Sequence, residues 1–384
     1  MQSRKIHING RTNIVKLAAL LGFGSYLSTL LEVETVASVL FACSLLSVAA
    51  NYFFFVAARR RVRLEDIAFA LAAILSMVLS EWELDFDYFK PAIIVFCTVL
   101  CIGLCTETEI DASVSRMVAR IIILVALITI VQYYFGGLRG SYYGNTGSVT
   151  LNFSNPNETA MWLLFLIVLL WDAFFAQKSI AMRLLTLVCA VLLLPVLYRT
   201  QSRNCLFAII FYLAGKFFLG LLKIKKLPAW FVLLITLVPV LVYVGYMYVF
   251  MPNYDRLSVW FRFLISEGKP LTSRYNIWSD LEMEQWKHIL FGNYAVYRGE
   301  NLHNSMATLY CGYGAFYTFL VYRKLYRVLK RMPNAGMQLA LGTVWLTGCF
   351  EASIFVGIAG MYMLVLLLPV FHQPELYPHK AGKI

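Results

Sequence analysis

The sequence predicts an all-α integral membrane protein. It reads as one polytopic unit, residues 1–384, with about twelve transmembrane helices and one large outer loop. Three observations carry that expectation. Hydrophobic residues make up 60% of the chain and charged residues only 14%, where soluble domains carry roughly 25% charge. The apolar residues fall into runs close to the ~20 residues that a spanning helix needs. A single long polar stretch, 251–304, interrupts them. The shortage of charge extends over the whole chain, which excludes a soluble domain hung on one anchor.

Taken in order, the expected spans are 14–31, 36–58, 64–80, 88–106, 117–135, 159–177, 180–198, 204–222, 229–250, 304–322, 336–353 and 355–371. The first follows Arg4, Lys5 and Arg11 and leads straight into the second, so it reads as a retained helix and not as a cleaved signal. The span 64–80 has the weakest apolar signal, with Glu65 and Asp66 near its start. The last two spans form one apolar run too long for a single crossing, which calls for a tight turn near Ile354.

Charge placement sets the orientation. With the N-terminus inside, 23 of the 33 Lys and Arg face the cytoplasm, among them Arg59, Arg60, Arg61, Arg63, Lys223, Lys225, Lys226 and the cluster from Arg323 to Arg331. Both termini are then cytoplasmic, and the loop 251–304 between the ninth and tenth helices lies on the outer face. The net charge of +12 therefore points to anionic membrane lipid as a partner, and nucleic acid is not expected. The eight cysteines (43, 97, 101, 105, 189, 205, 311 and 349) lie in or beside apolar runs with no CxxC pair, so neither disulfides nor a zinc site is expected. Cys97, Cys101 and Cys105 share a helical face and read as small packing residues.

The outer connections hold the candidate chemistry. The loop 251–304 carries Arg256, Arg262, Arg274, Trp278, Trp286, His288 and Arg298, and ends in Leu302-His303-Asn304-Ser305 at the start of the tenth helix. A histidine where a hydrated loop meets a helix can titrate near neutral pH and be held firmly from one side. The connection Tyr198–Asn204 places Arg199 and Arg203 on the outer side, against the overall charge bias. Such arginines either snorkel or bind an anion, and a guanidinium is suited to bidentate recognition of phosphate. Asn155-Pro156-Asn157-Glu158 has the pattern of a helix N-terminus, with a cap, a first-turn proline and an acid at the positive dipole end. A substrate-facing role can be added to that capping. Trp278 and Trp286 either stack on sugar rings or anchor an interfacial helix. Glu351 sits inside the longest apolar run, where an ionisable group costs about 2.5–3.5 kcal/mol, so it faces the bundle interior and an arginine partner or an acceptor sugar. Asp85 and Asp87 make an Asp-x-Asp in an acidic outer loop, read either as a metal site or as a loop depleted of Lys and Arg.

The order of these motifs resembles the O-antigen ligase/polymerase superfamily, which comprises Wzy-type polysaccharide polymerases and WaaL-type ligases. The resemblance spans roughly residues 150–355 and rests on several short motifs. These are Asn155-Pro156-Asn157 before one helix, Ser202-Arg203 at the start of another, Ser273-Arg274-x-x-x-Trp278 and Phe291-Gly292 in the loop, and His303-Asn304 before a helix with Gly312 and Gly314. It implies a C-type glycosyltransferase bundle that takes a glycan from an undecaprenyl-pyrophosphate donor at the outer face of a bacterial cytoplasmic membrane and joins it to an acceptor sugar. It also implies His303 as the base for the acceptor, with Arg274 and Arg203 holding the pyrophosphate. Arg199, Arg262, Asn304, Asn155, Asn157, Trp278 and Glu351 join them as substrate-binding candidates. A chain-length regulator and a flippase are the protein partners it suggests. The chemistry is consistent in itself: a pyrophosphate leaves without a proton when cations meet its charge, while an acceptor hydroxyl needs a base. No metal or other cofactor is called for. Polymerase and ligase share these motifs and differ in acceptor. A lipid-linked sugar transporter is a third reading, although the sequence has no evident internal repeat. A metal-dependent transferase using Asp85 and Asp87 is a fourth.

Overall fold

A computed structural model of the chain describes residues 17–18, 20–55, 64–79, 112–138, 147–153, 155–177, 179–256, 277–281, 288–297, 302–332 and 334–350. Its longer helices are α1 (Leu20–Leu30), α2 (Glu34–Phe55), α3 (Leu64–Leu79), α4 (Ala112–Tyr134), α5 (Pro156–Ala176), α6 (Ile180–Arg199), α7 (Arg203–Leu221), α8 (Ala229–Val244), α9 (Ser305–Arg331) and α10 (Ala335–Thr347). The described residues form no strands, so the all-helical class is as expected. Among the described residues, five helical segments are long and apolar enough to cross a membrane: Met117–Tyr134, Pro156–Phe175, Ile180–Arg199, Arg203–Leu221 and Ala229–Tyr254. The expected spans 88–106 and 355–371, and the turn near Ile354, lie outside the described residues.

The bundle is organised around α5. Asn155 caps it by accepting from Glu158 N at 2.9 Å, Pro156 opens its first turn and Glu158 faces the dipole, as the sequence pattern requires. A helix that is apolar all round belongs inside: 78% of the α5 span is buried, against 22% for α7 at the periphery. Tyr26 of α1 packs on Trp162 at 4.7 Å and on Phe153 at 5.6 Å, and its hydroxyl pairs with Thr129 of α4 at 3.0 Å. Between α5 and α7, Lys216, itself partly exposed, donates to the buried Asp172 at 2.8 Å, a charge pair that ties the two helices.

Two helices depart from the sequence reading. The rod that begins with α8 continues through a π-helical stretch, Gly245–Phe250, and a 3-10 stretch, Met251–Arg256. The first six residues of the expected loop are therefore helical. The expected span 304–322 is not one straight helix either. α9 is broken at Gly314, whose φ of 80° and ψ of 176° are far from helical. The break keeps Tyr322 against Trp345, one turn from Gly348, to whose carbonyl Ser305 N donates. A straight helix would carry Tyr322 about 25 Å from Ser305.

The connections gather at two ends of the bundle. One end is basic: Lys225 O accepts from Ala335 N at 2.8 Å, and Gln338 joins Leu227 N to Leu329 O. The other end collects residues 31–33, 147–153, 155, 200–202, 302–304 and 348–350, linked by Asn152 donating to Leu30 O and Val149 N donating to Arg199 O.

Candidate functional site

The turn that ends α10 is the hub of this second end. The last carbonyls of a helix have no partner within it. Here three successive ones, from Thr347, Gly348 and Cys349, are taken by residues flanking the sequence-selected candidates. Asn204 Nδ2 donates to Thr347 O, Ser305 N to Gly348 O at 2.8 Å, and Asn304 Nδ2 to Cys349 O at 2.9 Å. Arg203 and His303, a hundred residues apart in sequence, are thereby held from one short turn.

Two anchors flank His303. On one side the Leu302 carbonyl accepts from Trp278 Nε1 at 2.8 Å. On the other, Asn304 caps α9 by accepting from Ala307 N at 3.0 Å, and its amide also donates to Pro239 O at 3.2 Å. Proline at 239 interrupts the ladder of α8. Near that interruption Trp345 Nε1 donates to Thr236 O and Asn304 Nδ2 to Pro239 O. His303 itself is half-buried with a φ of 53°, in the left-handed region that few non-glycine residues adopt. Among the described residues, five of the six non-glycine residues with positive φ lie at this end: Glu32, Leu151, Asn152, Gln201 and His303. Backbone held in such conformations concentrates where a site over-determines it.

Arg199 and Arg203 bracket a tight turn at this end. Arg199 is the last residue of α6 and exposed; Arg203 is the first of α7 and half-buried, with Gln201 between them at a φ of 57°. Arg203, on the first turn of α7, adds its charge to the positive end of that helix's dipole, whereas Arg199 complements the negative end of α6. That arrangement suits an anion. Asn155 and Asn157 lie at the start of α5, both half-buried, and Asn155 is engaged in its cap.

Two candidates have structural duties that the sequence did not fix. Trp278 is wholly buried between Tyr243 and Tyr246, with ring centroids at 5.1 and 5.0 Å, so its indole anchors the loop and presents no face to a sugar. Asn304 is also fully buried and both amide hydrogens are committed to carbonyls, so it positions the start of α9 and has none to offer a substrate. Arg262, Arg274 and Glu351 lie outside the described residues, as do Trp286, Arg298, Asp85 and Asp87. Sequence reasoning passed over Asn204 and the turn Thr347-Gly348-Cys349; carbonyl positions leave no signal in residue type. No family model, curated protein or solved structure matches this chain.

Proposed function

We propose that this chain is a membrane glycosyltransferase that polymerises undecaprenyl-pyrophosphate-linked oligosaccharide repeat units into a surface polysaccharide (O-antigen, capsule or exopolysaccharide). It works at the outer face of the bacterial cytoplasmic membrane. The observation that carries this reading is that the residues next to Arg203 and His303 (Asn204, Asn304 and Ser305) are anchored on successive carbonyls at the end of α10. A base for an incoming hydroxyl and cations for a departing pyrophosphate have to act on one reacting unit, held in fixed relation.

His303 takes the proton of the acceptor hydroxyl as its oxygen bonds to the anomeric carbon of the donor. The bond from that carbon to the pyrophosphate breaks, and the charge developing on the leaving group is met by Arg203 and Arg199. Arg274 completes the set. It lies four residues before the anchored Trp278, within about 14 Å of covalent reach. Transfer to a different acceptor, such as a lipid A-core sugar, would use the same groups and make the chain a ligase. One observation favours a second class: broken membrane helices such as α9 also line the substrate paths of transporters.

The test is purified protein in liposomes with only a lipid-pyrophosphate-linked repeat unit, run beside His303→Ala. A ladder of multiples from the wild type that is absent in the variant supports a polymerase with His303 as base. Product only after a foreign acceptor is added turns the reading to ligase. Movement of intact lipid-linked units across the bilayer without any new glycosidic bond refutes both.

A further inference from the structure

The polar composition of 251–304 predicts a loop lying in water, yet the piece at 288–297 is built the other way. Its backbone bonds to α9 at three places. Ile289 O and Leu290 O accept from Ala315 N at 2.8 Å and Phe316 N at 3.4 Å, while Asn293 N donates to Cys311 O at 2.7 Å. These partners are the peptide groups that the break at Gly314 removes from the helical ladder of α9. The two chains meet backbone to backbone. Gly292, with a φ of 71°, lies so close that a Cβ there would stand 2.5 Å from Gly314 N, and a Cβ on Gly314 would overlap Leu290 and Phe291. No residue but glycine fits at either position.

The side chains point the opposite way to those of an aqueous loop. Ile289, Leu290 and Val296 are 47%, 61% and 52% exposed. The backbone bonds set the first two directly beside Phe316, and Phe319, a turn further along α9, extends the same apolar surface, 44% and 59% exposed respectively. A loop in water has no need of protein partners for its carbonyls and presents polar side chains. A non-helical segment in hydrocarbon must satisfy its backbone inside the protein and present apolar ones. At Ile289 and Leu290 this segment meets the second description on both counts.

We propose that residues 288–297 are a re-entrant segment, clasped into the break of α9, whose outer surface lies against the acyl chains of the bilayer. The half of α9 that follows His303 then has membrane lipid on the far side of its clasp. The large polar stretch is accordingly divided: Trp278 and the residues it anchors at 302–304 belong to the protein's wet end, and residues 288–297 to its lipid-facing wall.

The proposal is tested on the full chain in liposomes, with a nitroxide introduced through a keto-bearing unnatural amino acid at residue 290 so that the native cysteines stay in place. Reference labels sit at Ile210, exposed on α7, and at Arg256, exposed where the α8 rod ends. Collision with dissolved oxygen is compared with collision with a water-soluble nickel chelate. Residue 290 is expected to favour oxygen over nickel in the same sense as residue 210, with the ratio inverted at residue 256. Nickel access matching that at 256 would return the segment to water. Exclusion of both reagents would mean that protein covers it, and either result overturns the proposal. A second label at Val296 carries the same comparison if the one at 290 disturbs the clasp.

Discussion

At the basic end of the bundle, Gln338 accepts from Leu227 N and donates to Leu329 O; at the opposite end, Asn304 accepts from Ala307 N and donates to Pro239 O and Cys349 O. Each is a buried amide that ties separate pieces of backbone, and each closes a place where helix ends leave peptide groups without partners. The difference lies in what hangs from them. Around Gln338 are connectors of ordinary conformation apart from Lys223, and cations on short loops. Around Asn304 are five residues with positive φ, a half-buried histidine and two arginines that bracket a helix start. The same clamp therefore serves stability at one end and holds a strained, chemically equipped site at the other. Backbone strain persists only where surrounding structure over-determines it.

That contrast is open to direct attack, and the largest effect is expected at the histidine. His303→Ala should lower the rate of polymer formation by about 10²–10⁴-fold while leaving the apparent Tm of the detergent-solubilised protein unchanged, the range expected for loss of a general base. Next comes Arg203→Ala, expected to lower the rate on the order of 10²–10³-fold as one preorganised contact to a developing anion is lost. Arg203→Lys should recover only part of it, since an ammonium lacks the bidentate geometry. Equal rates for wild type and Arg203→Ala would sever the arginine from the chemistry.

The two clamps give the sharpest comparison at intermediate size. Asn304→Ala should cost about 3 kcal/mol of stability, from a lost cap and buried carbonyls left short of a donor, and should also abolish activity per folded molecule. Gln338→Ala should cost about 2 kcal/mol by the same reasoning but leave activity per folded molecule intact. Melting curves paired with the polymer assay separate them, and a similar loss of activity in both would erase the distinction between the ends. Smallest is Trp278→Phe, which deletes the hydrogen bond to Leu302 O and keeps the packing. About 1 kcal/mol of stability should be lost, read as a modest fall in apparent Tm.

Much of this protein was legible from residue type alone. The apolar runs gave the helices, because in hydrocarbon the backbone must satisfy itself and long apolar stretches have little alternative. The Asn155-Pro156-x-Glu158 pattern gave the start of α5, because capping is a local event within four residues. Arg203 at the start of α7 and His303 just before α9 followed from where polar residues interrupt the runs. Tertiary structure decided the rest. It alone buries Trp278 and saturates Asn304, because whether an indole stacks on a ligand or packs inside and donates to a carbonyl depends on which surface meets it. It alone breaks α9 at Gly314, because the pair of glycines makes sense only once residues 288–293 lie against it. The anchoring of Asn204, Asn304 and Ser305, the neighbours of Arg203 and His303, on the carbonyls of residues 347–349 has no sequence signal at all. Every peptide carries a carbonyl, and only the fold determines which three turn toward the site.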